Sequence, residues 1–164
     1  MSYEIDSSFA RVEHIVPLFH IISAIFIIAG QIVLVCMVNF FMKYVDKNYS
    51  DLFKYIKKIV IVFLVILMSS ILSGFLLSNG SDFKYSDPMI KSVINTKYAV
   101  VILLFCNLSY IIYRFLLAKK AYKETNLDEM KEHLIIAVNY FMVLDIFILL
   151  ISVYLGVVIA GFKW

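Results

Sequence analysis

The feature that most constrains the fold is a long apolar stretch at residues 15–42, which contains one histidine, His20, and one glutamine, Gln31. The hydrocarbon core of a bilayer is crossed by about 20 apolar residues in a helix, at roughly 1.5 Å of rise per residue. Polar side chains are costly in hydrocarbon unless they have a partner. At helical spacing, one stripe of this stretch holds His20, Ala24, Ile27, Gln31, Leu34 and Val38. The stretch therefore predicts a membrane-spanning helix whose polar side faces the interior of a helix bundle.

Three further apolar runs follow the first one. The four runs cover residues 15–42, 59–77, 98–117 and 134–162. The chain is 63% hydrophobic and only 16% charged, and a soluble domain of this length carries more charge. Helices that cross the bilayer in alternation satisfy their own backbone polar groups. The sequence thus predicts an all-α fold, in which residues 1–164 form a single integral membrane domain built as a four-helix bundle.

The loop charges predict how this bundle is oriented. The first loop, residues 43–58, and the third, residues 114–133, each carry five Lys or Arg residues, whereas the tails and the second loop together carry four. Cytoplasmic loops are the ones enriched in Lys and Arg. We therefore expect an N-out/C-out, multi-pass protein of the inner (plasma) membrane. The first fourteen residues are net acidic and lack the pattern of a cleaved signal peptide, so the first run is expected to be retained.

The expected partner of such a chain is the lipid bilayer. Its formal net charge of +3 is modest, and no basic patch with interleaved aromatic residues points to a nucleic acid. A homo-oligomer or a separate membrane partner is left open by the sequence.

Both lysine-rich loops contain helix signals. Leu52, Phe53 and Ile56 alternate with lysines, which predicts an interfacial helix that runs into the second span. In the third loop, Asn126 is followed three residues later by Glu129, a pattern typical of a capped helix start. We therefore expect the fourth helix to begin before its apolar run.

The second span contains small residues at helical spacing: Ser69, Ser70, Ser73 and Gly74. Small residues four apart allow two helices to approach closely. The pattern favours helix packing, and the alternative is room for a flat cofactor beside the helix.

Each span also places polar groups near the middle of the bilayer. This midplane layer comprises Gln31, Ser69 or Ser70, Asn107 and Asp145. A carboxylate in hydrocarbon costs several kcal/mol unless it is paired or protonated. We therefore expect Asp145 to be neutral or strongly hydrogen-bonded, with Gln31 and Asn107 as partners. The layer is either a structural clasp that holds four helices together, or a step in a proton path or a contact to a bound ligand.

A second polar layer is predicted nearer the outer face. It holds His20, Ser73 and Lys97, with Ser152 as a further candidate, and Lys97 stands at the opening of the third helix. Neutral imidazole binds iron or copper well, and a lysine binds a metal only after losing its proton. The structural alternatives are a hydrogen-bonded histidine and a lysine that extends to the interface. Because His14 lies in the tail and His133 at the opposite face, a haem held by two histidines of one chain is not expected.

Several of these positions together resemble the HemJ-type protoporphyrinogen oxidases and the wider group of four-helix membrane proteins that includes the copper-resistance D type. His20 is followed ten residues later by Gly30, the second span ends in Gly74-Phe75-Leu76-Leu77, and Lys97 stands in NTKYAVVILL. Asp145 takes the place of the acid in the family's fourth-helix Asn-Glu-x-Pro motif. The chain departs from the family pattern at Ile27, Cys36 and Phe147, and lacks its further histidine in the third helix.

The resemblance implies a b-type haem held by His20 and Lys97 as metal ligands, with Gly30 and Gly74 also at the cofactor. It further implies oxidation of protoporphyrinogen to protoporphyrin, with the electrons passed onward. Two other readings stay open, a copper- or metal-handling module of the same fold and a non-catalytic membrane subunit. Whether the chain is an enzyme is therefore also open.

Overall fold

The computed structural model describes residues 12–44, 49–78 and 88–161, and these ranges are helical almost throughout. Helix α1 is Val12–Tyr44, α2 is Ser50–Ser78 and α3 is Pro88–Lys123. Helix α4, Leu127–Ile135, continues without a break through a π-helical segment, Ile136–Met142, into α5, Val143–Gly161. We refer to these last three elements together as the fourth helix. The prediction of an all-α chain with four long helices is confirmed.

Each of the four helices contains a segment long and apolar enough to cross a membrane. These candidate spans are Ile15–Tyr44, Ser50–Leu77, Lys91–Lys123 and Leu127–Val158. Large apolar side chains such as Phe26, Val65 and Leu103 lie exposed on the outside of the bundle. An apolar exterior of this kind is compatible with contact to lipid, and the membrane character expected from the composition is therefore supported by the fold.

The helices begin earlier than their apolar runs do. The sequence pattern in the first loop correctly predicted a helix that runs into the second span, but its apolar residues are not interfacial. Leu52, Phe53 and Ile56 are all buried in the bundle, because the first turns of α2 already pack against the other helices. The predicted cap of the fourth helix is confirmed: Asn126 accepts a hydrogen bond from the backbone N–H of Glu129.

The prediction that Lys97 opens the third helix is wrong. Helix α3 begins at Pro88, more than two turns earlier. Proline is favoured in the first turn of a helix, because the N–H it lacks would have no helical partner there. Lys97 consequently lies inside α3 and is only partly exposed.

The bundle is built from two helix pairs. Helix α1 packs along α2, α3 packs along the fourth helix, and the pairs meet where α1 contacts the π-helical segment and α5. The core consists of two apolar clusters, one toward the lysine-rich end with Leu34 and Met142, and one toward the other end with Ile27 and Ile148. Buried polar side chains, among them Gln31, Asn107 and Asp145, lie between these clusters.

Candidate functional site: two polar layers in the bundle

The midplane layer is centred on Asp145, which is 2% exposed. One carboxylate oxygen, Oδ2, accepts a hydrogen bond from Nε2 of Gln31, and the other, Oδ1, accepts one from Nδ2 of Asn107 at 2.8 Å. The three side chains come from α5, α1 and α3. Hydrogen bonds between helices are favourable in hydrocarbon because no water competes for the polar groups. The structure therefore brings together three of the residues that the sequence placed near the middle of the bilayer.

Helix α2 contributes no side-chain hydrogen bond to Asp145 in the described part of the chain. Ser69 donates instead to the backbone carbonyl of Val65 at 3.0 Å, one turn earlier in its own helix. Ser70 is buried, but its carbonyl oxygen accepts bonds from the other polar layer. The clasp around Asp145 thus joins three helices, whereas the predicted midplane layer joined all four helices.

The π-helical segment adds a backbone contact to this layer. Nδ2 of Asn107 also donates to the carbonyl oxygen of Phe141, at 2.9 Å. Phe141 lies within the π-helical segment Ile136–Met142, about one helical turn before Asp145. A π-helical turn places the next residues on a different face from the one that α-helical spacing gives. The segment therefore helps to set the direction in which Asp145 points.

One polar atom of the clasp has no hydrogen-bond partner in the described ranges of the chain. Oε1 of Gln31 is buried and makes no hydrogen bond among the described residues. Gln31 and Gly30 border a small cavity of about 20 Å³, whose other lining residues are apolar. A space of this size accommodates about one water molecule, and it is far smaller than a flat cofactor. Gly30 itself has nothing within 4 Å of where a Cβ would lie.

The outer layer is centred on His20, which is partly buried. Nδ1 of its ring lies 2.9 Å from the backbone oxygen of Ser70 and 2.9 Å from Oγ of Ser73. The Ser73 hydroxyl in turn donates to the Ser70 oxygen, at 2.9 Å. A carbonyl oxygen only accepts, so this arrangement requires the hydrogen of a neutral imidazole to be on Nδ1. Nε2 then carries the lone pair that a metal ligand needs.

Glycines bring the other helices close to this layer. A Cβ at Gly74 on α2 would lie 3.0 Å from Cε1 of His20, closer than side-chain atoms normally approach. A Cβ at Gly156 on α5 would lie 3.3 Å from Nζ of Lys97. Lys97 and His20, which the sequence placed at similar depth, lie within range of a charge interaction.

Gly74→Ala and Gly30→Ala form a matched pair that tests this packing. Alanine stabilises a helix interior by about 1 kcal/mol relative to glycine. Gly30→Ala should therefore leave thermal stability in detergent unchanged or raise it, because the added methyl meets open space. Gly74→Ala should be less stable than Gly30→Ala by about 1 kcal/mol, because the His20 ring must move away from its hydrogen bonds. Equal midpoints of unfolding for the two variants would contradict the described contact.

Two contacts in the bundle were not predicted from the sequence. Nδ2 of Asn39 on α1 donates to Oδ1 of Asn139 in the π-helical segment, at 2.9 Å. Gly156 lies beside Lys97. Gly156 could have been found, since it is three helical turns beyond Asp145 and shares its face. Asn139 could not, because α-helical counting fails across the π-helical segment.

The outer layer supplies few protein ligands for a bare metal ion. Among the described residues, no group of three or more His, Cys, Asp or Glu side chains is placed to hold one. A protein site for zinc uses three or four side-chain ligands, and blue copper sites use at least three. Haem iron is already held by the porphyrin nitrogens and requires only one or two axial side chains. His133, mostly buried beside Glu129, belongs to the opposite end of the bundle.

Comparison with protein-family models, with curated proteins and with solved structures finds no match for this chain. The interpretation of the two polar layers consequently rests on the residues themselves.

Proposed function

We propose that the chain is an integral membrane redox protein that binds a b-type haem through His20. Lys97 would supply a second nitrogen ligand to the haem iron or would pair with a haem propionate. The observation that carries the proposal is the hydrogen bonding of the His20 ring, whose Nδ1 is fixed by Ser70 and Ser73 and whose Nε2 keeps its lone pair.

The other residues of the outer layer fit such a group in two respects. Gly74 allows α2 to lie directly against the ring of His20 on α1, so α2 packs against one side of the ring. Lys97 places a second nitrogen on α3, within range of a charge interaction with His20. A lysine near a histidine at this depth is available to a haem either as a neutral amine or as an ammonium beside a carboxylate.

Asp145 has a structural role in this proposal. On α1, Gln31 lies about three turns from His20, which is roughly 16 Å along the helix axis. Asp145, which is hydrogen-bonded to Gln31, is therefore too far away to ligate an iron bound at His20. Its two bonds to α1 and α3 instead hold together the helices that carry His20 and Lys97.

The activity that we propose is oxidation of protoporphyrinogen to protoporphyrin, as the resemblance to the HemJ-type oxidases implies. The tetrapyrrole gives up hydrogen as electrons and protons, and the electrons pass to a membrane acceptor of the quinone class. The bound haem supplies the electron-transfer chemistry, while the chain holds and orients it.

Appearance of porphyrin fluorescence tests this activity. Protein purified from haem-replete cells should convert protoporphyrinogen to fluorescent protoporphyrin in the absence of oxygen when a soluble quinone is added. The same protein purified from haem-deficient cells is the control and should be inactive. Haem-loaded protein that forms no protoporphyrin above the rate without enzyme would overturn the oxidase activity.

We further propose that both termini lie outside the cytoplasm and that the membrane is the plasma membrane. The support is the excess of Lys and Arg in the loops at one end of the bundle.

Cysteine labelling tests this orientation. The native cysteines Cys36 and Cys106, which are both free and exposed, are first replaced by serine. In that background, Lys91→Cys and Glu124→Cys mark the two ends of α3. A membrane-impermeant maleimide should label Lys91→Cys in intact spheroplasts, and Glu124→Cys only after permeabilisation. The reverse labelling pattern would show that the bundle is inverted.

A further inference from the structure

The lysine-rich end of the bundle contains a groove that the proposed redox site does not use. The groove has a volume of about 390 Å³ and lies between the start of α2 and the end of α3. Its lining residues are Ser50, Phe53, Lys54, Lys57, Lys119, Tyr122 and Lys123. Helical spacing explains this lining, since residues three, four and seven apart share one face of each helix.

The base of the groove is aromatic and its walls are cationic. The rings of Phe53 and Tyr122 lie 5.6 Å apart between centroids, and Phe53 is buried. Lys54 is paired with Asp51 at 2.9 Å. In the part of the chain that the structure describes, Lys57, Lys119 and Lys123 have no carboxylate within 4 Å. Three uncompensated cations around one concave surface favour an anionic ligand.

The position of the groove favours a lipid over a soluble anion. Both helices that form it belong to candidate spans, Ser50–Leu77 and Lys91–Lys123. Directly toward the membrane, exposed apolar side chains follow on both helices, Ile61 and Val62 on α2 and Leu116 on α3. A phosphate in the groove would thus have acyl chains of the same molecule beside these residues. Basic pockets between spanning helices are suited to phospholipid headgroups.

We propose that this groove binds the phosphate headgroup of an anionic phospholipid, with Lys57, Lys119 and Lys123 as its cationic partners. The lipid fills the space between the start of α2 and the end of α3 and links the two helix pairs at this end. The site is independent of haem binding, since it lies at the end of the bundle opposite to His20.

Lipid titration of the purified protein in neutral detergent tests the site. The probes are phosphatidylglycerol, phosphatidylcholine and inorganic phosphate, with bound lipid counted by native mass spectrometry. The groove variant combines Lys57→Gln, Lys119→Gln and Lys123→Gln. The control variant combines Lys43→Gln, Lys58→Gln and Lys120→Gln, which remove the same charge outside the groove. Both variants should unfold at the wild-type temperature when no lipid is added.

Wild-type protein should bind phosphatidylglycerol more tightly than phosphatidylcholine, and added salt should weaken only the former. The groove variant should bind phosphatidylglycerol at least ~10-fold more weakly, since each lysine near an anionic headgroup contributes about 1 kcal/mol. The control variant should stay near wild type. Equal weakening in both variants, salt-independent binding, or equally tight binding of phosphatidylcholine would overturn the proposal. So would competition by inorganic phosphate at the same concentration as the lipid, which would indicate a site for a soluble anion.

Discussion

Asp145→Ala is expected to lower the free energy of unfolding by about 2–3 kcal/mol, the largest stability effect of any single substitution that we predict. Asp145 accepts from Gln31 and Asn107, which lie on two other helices. Single hydrogen bonds between membrane helices contribute only about 0.6 kcal/mol on average, so two lost bonds alone give about 1 kcal/mol. The remainder comes from the buried Gln31 amide, which loses its acceptor, and from one N–H of Asn107, whose amide still donates to the Phe141 carbonyl.

Asp145→Asn should cost less than half as much as Asp145→Ala. The asparagine oxygen can still accept from Asn107. Its amide can donate to Oε1 of Gln31, which has no hydrogen-bond partner in the described structure, once the Gln31 amide turns over. The reduced cost would mean that the clasp needs a polar group of this shape more than it needs a negative charge.

Unfolding in mixed micelles, followed by helical circular dichroism, measures both effects. Ser69→Ala is a suitable control and should be nearly neutral, because among the described residues the Ser69 hydroxyl bonds only within its own helix. If Asp145→Ala is as stable as Ser69→Ala, the clasp does not hold the bundle together. If Asp145→Asn is as damaging as Asp145→Ala, the carboxylate is ionised and specifically paired.

His20→Ala is expected to abolish haem binding while leaving the protein in the membrane. The substitution removes the imidazole that we propose as the haem ligand, whose Nε2 keeps its lone pair because Nδ1 is hydrogen-bonded to Ser70 and Ser73. Ser73→Ala should retain haem with reduced occupancy, because the Ser70 carbonyl still holds Nδ1. Haem content of equal amounts of purified protein, read from the Soret band, distinguishes the three proteins.

A second histidine provides the matched control for this loss. His133 is mostly buried at the other end of the bundle, beside Glu129, and His133→Ala should keep the full Soret band. A full band in His20→Ala would remove His20 from the site. Loss of the band in both variants would indicate that the histidines act through general stability of the fold.

The residues explain how far the sequence could predict this molecule. The four spans were predictable because apolar length is a strong signal, and the Asn126 cap was predictable because its spacing to Glu129 is local. Asp145, Gln31 and Asn107 could be placed at one depth by counting residues. Residue spacing does not predict which group a serine will hydrogen-bond. The Ser69 hydroxyl bonds within α2, whereas the backbone carbonyl of Ser70 accepts from His20.

The contacts that the sequence did not reveal depend on geometry between helices. Lys97 was expected at the start of a helix, but α3 begins at Pro88, so the nine residues before the lysine are helical as well. The bond between Asn39 and Asn139 depends on the π-helical segment, whose spacing no α-helical count reproduces. The groove between α2 and α3 required the packing of two helix ends that are distant in sequence.

A reduced-minus-oxidised absorption spectrum of the detergent-purified wild-type protein, with a pyridine haemochrome assay, tests the central claim most directly. Protein from haem-replete cells should show a b-type spectrum and about one haem per chain, as expected for iron held by an axial histidine. A colourless protein from the same cells would contradict haem binding at His20, and the outer polar layer would then be a packing contact between α1 and α2.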